Sequence, residues 1–283
     1  MRIRACYQEH LGQWGPSVLA AWAKREGLGS PCPQTIANAI SDLRPSAPPK
    51  KKACRYSMTS PGVMWAEDGA AFRDLGKKRE LLVVQDECSR FKLAHRLAPG
   101  PASGKDVLAL LAQVASRHEL PLVLKRDGGS IFDERQVMVW LDAHDVVVLT
   151  SPPGYPQYNG KKERSFRDVR GYERALLAAD PRSTLSERID RAIHDLNEDR
   201  PRPVLGGRTA REAQSAPRRA LPSRAEFRKE VESTEQKLLA RAASRHERDA
   251  ARRQAVLKVL SNYRLMKWRG DLSTEFQPAD ATE

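Results

Sequence analysis

Apolar and polar positions repeat with two different periods along residues 63–170, and each change of period marks an element. VMWAEDGAAF (63–72) and ELLVVQDECS (80–89) read as strands, and FKLAHRL (91–97) alternates apolar with polar residues as a third strand does. The three are short and follow one another closely, which predicts an antiparallel meander. SGKDVLALLAQVASRHEL (103–120) then shows helical spacing, with Ser103 and Asp106 placed to form a capping box at its start. LPLVLKRD (120–127) is another apolar strand, FDERQVMVWLDAH (132–144) an amphipathic helix, and DVVVLT (145–150) a fifth strand of β-branched residues. The Pro-rich segment SPPGYPQYNG (151–160) leads into a helix from about Lys161. The order β-β-β-α-β-α-β-α predicts an α/β domain, a mixed five-stranded sheet with helices packed on it.

The flanks carry a different pattern. WGPSVLAAW (14–22) and PQTIANAI (33–40) read as two helices joined by a turn through Gly27 and Gly29. That is a helix-turn-helix layout, in which the second helix enters the major groove, and Gln34, Thr35 and Asn38 are its exposed candidates for contacting DNA. The same layout also occurs in proteins that bind no DNA. From Ser223 to Trp268 the chain is Arg- and Ala-rich with very few breakers, predicting one or two long basic helices that lie along DNA or pack on a second protomer. The expected organisation is a helix-turn-helix domain at 1–45, a linker at 46–60 containing SAPPKKK, a core at 61–200, a post-core segment at 201–221, a basic helical region at 222–269 and an acidic tail at 270–283.

Charge sharpens this division. The 283 residues contain 49 Lys and Arg against 36 Asp and Glu, a net +13 that points to a polyanionic partner, nucleic acid first among them. The excess is not evenly spread: residues 1–54 carry +5, 55–200 only +1, 201–269 +11 and 270–283 −4. No apolar run approaches the about 18 residues a membrane span needs, and the opening MRIRACYQEH lacks the apolar stretch of a signal peptide, so a cytoplasmic location is expected. Cys6, Cys32, Cys54 and Cys88 form no C-x-x-C pair and read as ordinary reduced thiols.

Within the nearly neutral block, three carboxylates stand out. Asp68 lies in the first strand, Asp127 ends the fourth among small residues, and Glu163 opens the third helix. The element order permits them to converge. Converging carboxylates raise one another's pKa unless a cation is present, and hard oxygen donors with room for water and phosphate suit Mg²⁺. Two such ions about 3.5 to 4 Å apart activate a water or a 3′-hydroxyl and stabilise the leaving oxygen of an in-line phosphoryl transfer. Glu67 is a rival to Asp68, but neighbours along a strand face opposite sides, so only one of them can point into the site. Asp86 closes the second strand, where holding the following turn is the readier role, and Asp133, Asp142 and Asp145 sit at helix or loop ends, where Asp commonly caps. Lys161, Lys162, Arg164, Arg167 and Arg170 crowd the helix that carries Glu163. Arg167 and Arg170, at +4 and +7, share its face and extend a line along a phosphate backbone; a solvated basic helix face is the alternative. Asn159 and Gly160 lie in a loop whose composition suits closure over DNA.

These residues, in this order, resemble the catalytic core of the DDE transposases of bacterial insertion sequences and of retroviral integrases. The matching contexts are Trp65-x-x-Asp68, Asp86-Glu-Cys-Ser89-Arg90, Asp127-Gly-Gly-Ser130, and Tyr158-Asn159-Gly160 leading to Glu163-Arg164, with 35 residues between Asp127 and Glu163. Asn197-x-x-Arg200-Pro201 and Leu205-Gly-Gly-Arg208-Thr209 resemble the segment that follows that core, so the likeness spans about half the chain. Departures are Ala70, where Thr or Ser is frequent, Arg126 where Ser or Thr commonly precedes the second Asp, Arg202 in place of His and Ala210 in place of Pro. None removes a carboxylate.

The resemblance implies an RNase H-like fold, with Asp68, Asp127 and Glu163 as both catalytic residues and ligands of two Mg²⁺ ions, for which Mn²⁺ substitutes. It implies a bacterial cytoplasmic protein, nucleoid-associated when bound, that recognises terminal inverted repeats, cleaves a 3′ end and joins it to target DNA. Its partners are then double-stranded DNA and further copies of itself, as a dimer or larger complex. Two rivals share the carboxylates or the DNA binding: an RNase H-like nuclease without strand transfer, and a degenerate transposase acting as a DNA-binding regulator.

Overall fold

The computed structural model describes residues 2–9, 16–43, 55–74, 76–151 and 160–269, without the side chains of Arg55, Asp74, Gly160, Lys161, Lys162, His246 and Arg269. The chain divides into two compact units, Met1–Lys52 and Ala53–Glu283.

The first unit holds three short helices, α1 (Arg2–Glu9), α2 (Pro16–Arg25) and α3 (Pro33–Ala39). Both of the last two open on proline, whose fixed φ and missing N–H suit a first helical position. Gly27 and Gly29 take φ of +71° and +90°, and between them Leu28 N–H donates back to the Ala23 carbonyl at 2.9 Å. Cys6, Tyr7, Leu19, Ile36 and Ile40 form the core. The two expected helices are there, although Trp14 lies outside the described residues. Helix α1 is an addition, fastened by Arg4, which grips both oxygens of Asp42 at 2.8 and 2.6 Å.

The second unit is built on strands β1 (Arg55–Met58), β2 (Met64–Asp74), β3 (Lys77–Asp86), β4 (Lys92–Ala98), β5 (Val123–Arg126), β6 (Val147–Thr150) and β7 (Met266–Arg269). Its helices are α4 (Gly104–Ala115), α5 (Arg135–Ala143), α6 (Gly160–Ala179), α7 (Leu185–Glu198), α8 (Ala210–Gln214), α9 (Arg224–Arg241) and α10 (Arg245–Asn262). The main sheet has the order β4-β3-β2-β5-β6, antiparallel from β4 to β2 and parallel from β2 to β6. This is the mixed five-stranded sheet that the hydrophobic pattern predicts.

The pleat sends alternate residues of β2 and β3 into different layers. Trp65, Leu82 and Val84 pack with Leu124 against Val107, Leu110, Val114 and Leu141 of α4 and α5. On the other face, Ala70, Phe72, Leu81 and Val83 meet Phe166 and Val169 of α6 and Ile189, Ile193 and Leu196 of α7. Further along that second face, Met64, Val123, Val147 and Leu149 are covered by Phe227 and Val231 of α9, Val256, Val259 and Leu260 of α10, and Tyr56 and Met266.

Two sequence expectations change here. The linker drawn to residue 60 gives way at Arg55, because β1 pairs antiparallel with β7 from Arg55↔Arg269 to Met58↔Met266. The basic helices of 222–269, expected to lie along DNA or to pack on a second protomer, pack on their own sheet, since their apolar residues complete its core. The irregular spacing of those residues, spread over two helices and two strands, concealed that shared face.

Five helices of this unit, α4, α7, α8, α9 and α10, open with capping boxes, among them the expected Ser103–Asp106 pair. Backbone hydrogen bonds from Thr184 hold Glu187 below the ordinary carboxylate value, Arg211 does the same for Glu198, and Ser223 for Glu226. A depressed folded-state pKa contributes stability above the unfolded value and loses it as pH falls through the folded one. These three depressed carboxylates are therefore expected to lower the thermal midpoint as pH falls below about 4.5 toward pH 3. A midpoint still flat at pH 3 would contradict these caps.

The Asn197-x-x-Arg200 motif has a structural role. Asn197 accepts from Lys92 N–H at 2.9 Å and donates to the Lys92 carbonyl at 3.0 Å, so its amide pairs with the open edge of β4 as another strand would. The residue is buried. Replacing it with Ala leaves one donor and one acceptor unmatched, and urea unfolding is expected to show a loss of about 2 to 3 kcal/mol.

Candidate active site

The register of the sheet settles which acids share a face. Met64, Trp65 and Ala66 of β2 pair with Val123, Leu124 and Lys125 of β5. Asp68 and Asp127 each lie two residues past the last of these pairs, hence on the same face of strands about 4.8 Å apart. Asp68 stands opposite Val83, whose side chain meets the α6–α7 layer. Glu67 stands opposite Val84, points to the α4–α5 layer and is 2% exposed. Asp68 is thus the carboxylate on the α6 side.

Helix α6 is docked on that face. Phe166 and Val169 are buried beneath it, and the Ser165 hydroxyl donates to Gln85 Oε1 at 2.7 Å in a buried contact beside Ala66. Arg170 donates to the Ala71 carbonyl at 3.3 Å and lies over the Phe72 ring at 5.4 Å. Glu173 and Arg188 join α6 to α7 through a buried ion pair at 2.9 Å. Between β2 and this helix runs a cleft of about 640 Å³, lined by Asp68 to Ala71 on one side and by Glu163, Phe166, Arg167, Arg170, Gly171 and Arg174 on the other.

Asp68 and Glu163 therefore share one cleft, while Asp127 stands on the neighbouring strand and does not line it. Asp68 Oδ1 accepts from Gly69 N–H at 2.8 Å and Asp127 Oδ1 from Gly129 N–H at 2.9 Å. Among the described residues, no three Asp, Glu, His or Cys side chains gather closely enough to hold one ion together. The donor set still fits a hard divalent cation in kind. Asp68 and Asp127 offer oxygens from adjacent strands on one face, Glu163 faces Asp68 across the cleft, and the acids occupy half-exposed or exposed positions that water can reach.

The remaining predicted residues fall into distinct places. Arg167 lines the cleft, Arg170 lines it while fastened to β2, and Arg164 is exposed outside its lining. Arg174 is an addition that the sequence reading missed. The 4-3-4 spacing of Glu163, Arg167, Arg170 and Arg174 is the signal that finds it, since it is one helical stripe. Asn159 lies outside the described residues, as do the side chains of Lys161 and Lys162. Gln34, Thr35 and Asn38 are exposed on α3, where Gln34 donates to Asn38 Oδ1 at 3.0 Å and Thr35 Oγ1 lies 3.2 Å from Cys32 Sγ.

Asp86 is a structural residue. Wholly buried, it accepts from Gly62 N–H, Cys88 N–H and Ser89 N–H, each at 2.8 Å, and from the Ser89 hydroxyl at 3.1 Å. Burial pushes its carboxyl up from the ordinary range against the pull of these donors. The Ser89 hydroxyl oxygen also lies 2.5 Å from Gln214 Oε1, so the turn is tied to α8.

A mixed sheet of this order with helices on both faces is an RNase H-like fold. In particular, the fold is similar to that of a chain in a solved viral intasome. A chain of the simian T-cell lymphotropic virus intasome, solved in complex with the PP2A regulatory subunit B56 gamma, is similar with a TM-score of 0.52 at 14% identity, covering 78% of this chain and 77% of that one. The HTLV-2 integrase catalytic core domain in complex with magnesium gives 0.49 at 18% identity, covering 56% and 99%. The BIV integrase catalytic core domain gives 0.45 at 22% identity, covering 53% and 92%. No protein-family model matches the sequence, and no curated protein does. Among the described residues, no helix is long and apolar enough to cross a membrane.

Proposed function

We propose that the protein is a DNA transposase, which binds the terminal inverted repeats of a mobile element and catalyses metal-dependent 3′-end cleavage and strand transfer. The observation that carries this reading is the placement of Asp68 and Asp127 on one face of adjacent parallel strands, with Glu163 across a cleft from Asp68 on a helix packed against that face. The three carboxylates hold two Mg²⁺ ions, and Mn²⁺ substitutes. Bound ions supply an activated water or 3′-hydroxyl and offset charge on the leaving oxygen. The chain's own residues supply the rest. Arg167 and Arg174 orient backbone phosphates along the cleft, and the Ser165–Gln85 contact fixes the helix that carries Glu163.

Residues 1–45, with Gln34, Thr35 and Asn38 exposed, serve as the end-recognition domain. Asn159, Lys161, Lys162 and Arg164 add contacts to DNA. Joining two ends in one event requires a dimer or larger assembly.

The test uses the full chain, Mg²⁺, a plasmid target and duplex DNA carrying any short inverted repeats found on both sides of its coding region. Nicking at the repeat end followed by covalent joining to the plasmid is expected. EDTA abolishes both steps, and Glu163→Gln loses both while retaining DNA. General cleavage without joining would instead identify a nuclease, and a Glu163→Gln protein as active as the parent would identify a DNA-binding regulator.

A further inference from the structure

Arg126 stands immediately before Asp127, where the resembling families commonly carry a small hydroxyl residue. Its guanidinium is 2% exposed and points to the sheet face away from Asp127. There Nη1 donates to the Phe132 carbonyl and Nη2 to Asp133 Oδ1 at 2.6 Å, with Met138 Sδ at 3.0 Å. The side chain therefore bridges the segment that leaves Asp127 and returns at Phe132. The main chain of the same residue is held from the other strand, because Ser151 donates to the Arg126 carbonyl through both N–H at 2.9 Å and Oγ at 3.0 Å.

Inside this closed loop the fit is close. Phe132 N–H donates to the Gly129 carbonyl at 3.0 Å and Asp133 N–H to the Ser130 carbonyl at 3.1 Å. A Cβ on Gly129 would stand 3.0 Å from Asp127 Oδ1 and 3.2 Å from the Phe132 ring. The loop also continues into Glu134, whose Oε1 accepts from Gly104 N–H at 2.8 Å, so its far end is tied to α4. Asp127 thus has a peptide fixed on one side by Ser151 and a loop fixed on the other by Arg126. Lys cannot replace this arrangement, since one ammonium lacks the fork that reaches a carbonyl and a carboxylate together.

We propose that Arg126 is a positioning residue for Asp127: by closing the 127–133 loop from the opposite face of β5, it fixes the direction in which the Asp127 carboxylate meets a divalent cation. This inference rests on the metal-binding reading of the three carboxylates. Groups that orient a ligand without touching the metal commonly change affinity or activity about 10- to 100-fold when removed.

The experiment is a titration of the full-length protein with Mn²⁺ alone, read by the loss of the free-ion electron paramagnetic resonance signal and normalised to the folded fraction from circular dichroism. Arg126→Met is expected to raise the half-saturating Mn²⁺ concentration about 10- to 100-fold. Arg126→Lys is expected to fall between it and the parent. Asp133→Ala removes the other end of the contact at a side chain that is 55% exposed, so it folds even where Arg126→Met does not, and a smaller rise is expected. Folded Arg126→Met and Asp133→Ala proteins that both bind Mn²⁺ as the parent does would overturn the proposal; should only Asp133→Ala fold, its titration decides alone. Asp127→Asn separates the two readings. If it binds Mn²⁺ like the parent, the metal-binding reading itself fails, whereas if it loses Mn²⁺ while the other variants do not, only the role of Arg126 fails.

Discussion

Asp68→Asn is expected to slow single-turnover cleavage by at least about a thousandfold while leaving DNA affinity at or slightly above that of the parent. Metal-assisted charge stabilisation is worth several kcal/mol, and each 1.36 kcal/mol is about tenfold in rate. Asparagine keeps the shape of the side chain, and its amide oxygen can still accept from Gly69 N–H, so the fold is preserved. What disappears is one negative charge and one hard donor. Removing that charge beside Arg167 and Arg174 leaves the cleft more attractive to phosphate, which is why binding is not expected to suffer. Cleavage rates at saturating DNA, with binding titrations at one fixed salt concentration, separate the two effects. A rate within tenfold of the parent would remove Asp68 from the proposed centre.

The second large effect is on stability. Asp86→Ala strips the acceptor from three backbone N–H groups in a wholly buried turn. Each buried donor left unmatched costs about 1 to 3 kcal/mol, so a total near 4 kcal/mol is expected after partial relaxation. That is a large part of the about 5 to 15 kcal/mol that holds a typical domain together. Asp86→Asn should be milder, because its oxygen can keep the three contacts made by Oδ1 and only the Gly62 amide loses its partner. Urea denaturation of both variants checks the order. Equal stability of Asp86→Ala and the parent would show that the turn does not depend on this carboxylate.

The two predictions give opposite roles to two acids that look alike along the chain. Both Asp68 and Asp86 belong to central strands and to contexts that match the same families. What distinguishes them is their surroundings: Asp68 opens on a cleft, and Asp86 is enclosed by donors from residues 62, 88 and 89. Asn197 and Thr209 tell the same story. Motifs that resemble a catalytic family proved to hold an edge strand and to cap α8.

The element order was legible because it rests on short-range physics. The apolar run along 80–89, alternation along 91–97, helical spacing along 103–120 and the Ser103–Asp106 box each act over a few residues and need no partner from elsewhere. The candidate acids were legible too, through spacing and local context. The cleft stripe was only partly so, and Arg174 emerges once the helix is seen to lie on the sheet. Helix α1 escaped notice because its core contribution is two residues, Cys6 and Tyr7, too few to show a period.

Three matters were decided by the tertiary structure alone. Pairing of β1 with β7 joins residues more than 200 positions apart, and no local pattern encodes that partner. The packing of α9 and α10 on Met64, Val123, Val147 and Leu149 makes a strongly basic segment part of the core, because a few apolar side chains outweigh the many charged ones that remain in water. The register of β2 on β5 places Asp68 and Asp127 on one face and Glu67 on the other. The sequence by itself determined which residues are acidic, apolar or β-branched, and so which elements form; which acids face one another depends on strand register, and a shift of one residue there would turn every side chain of the strand to the opposite face.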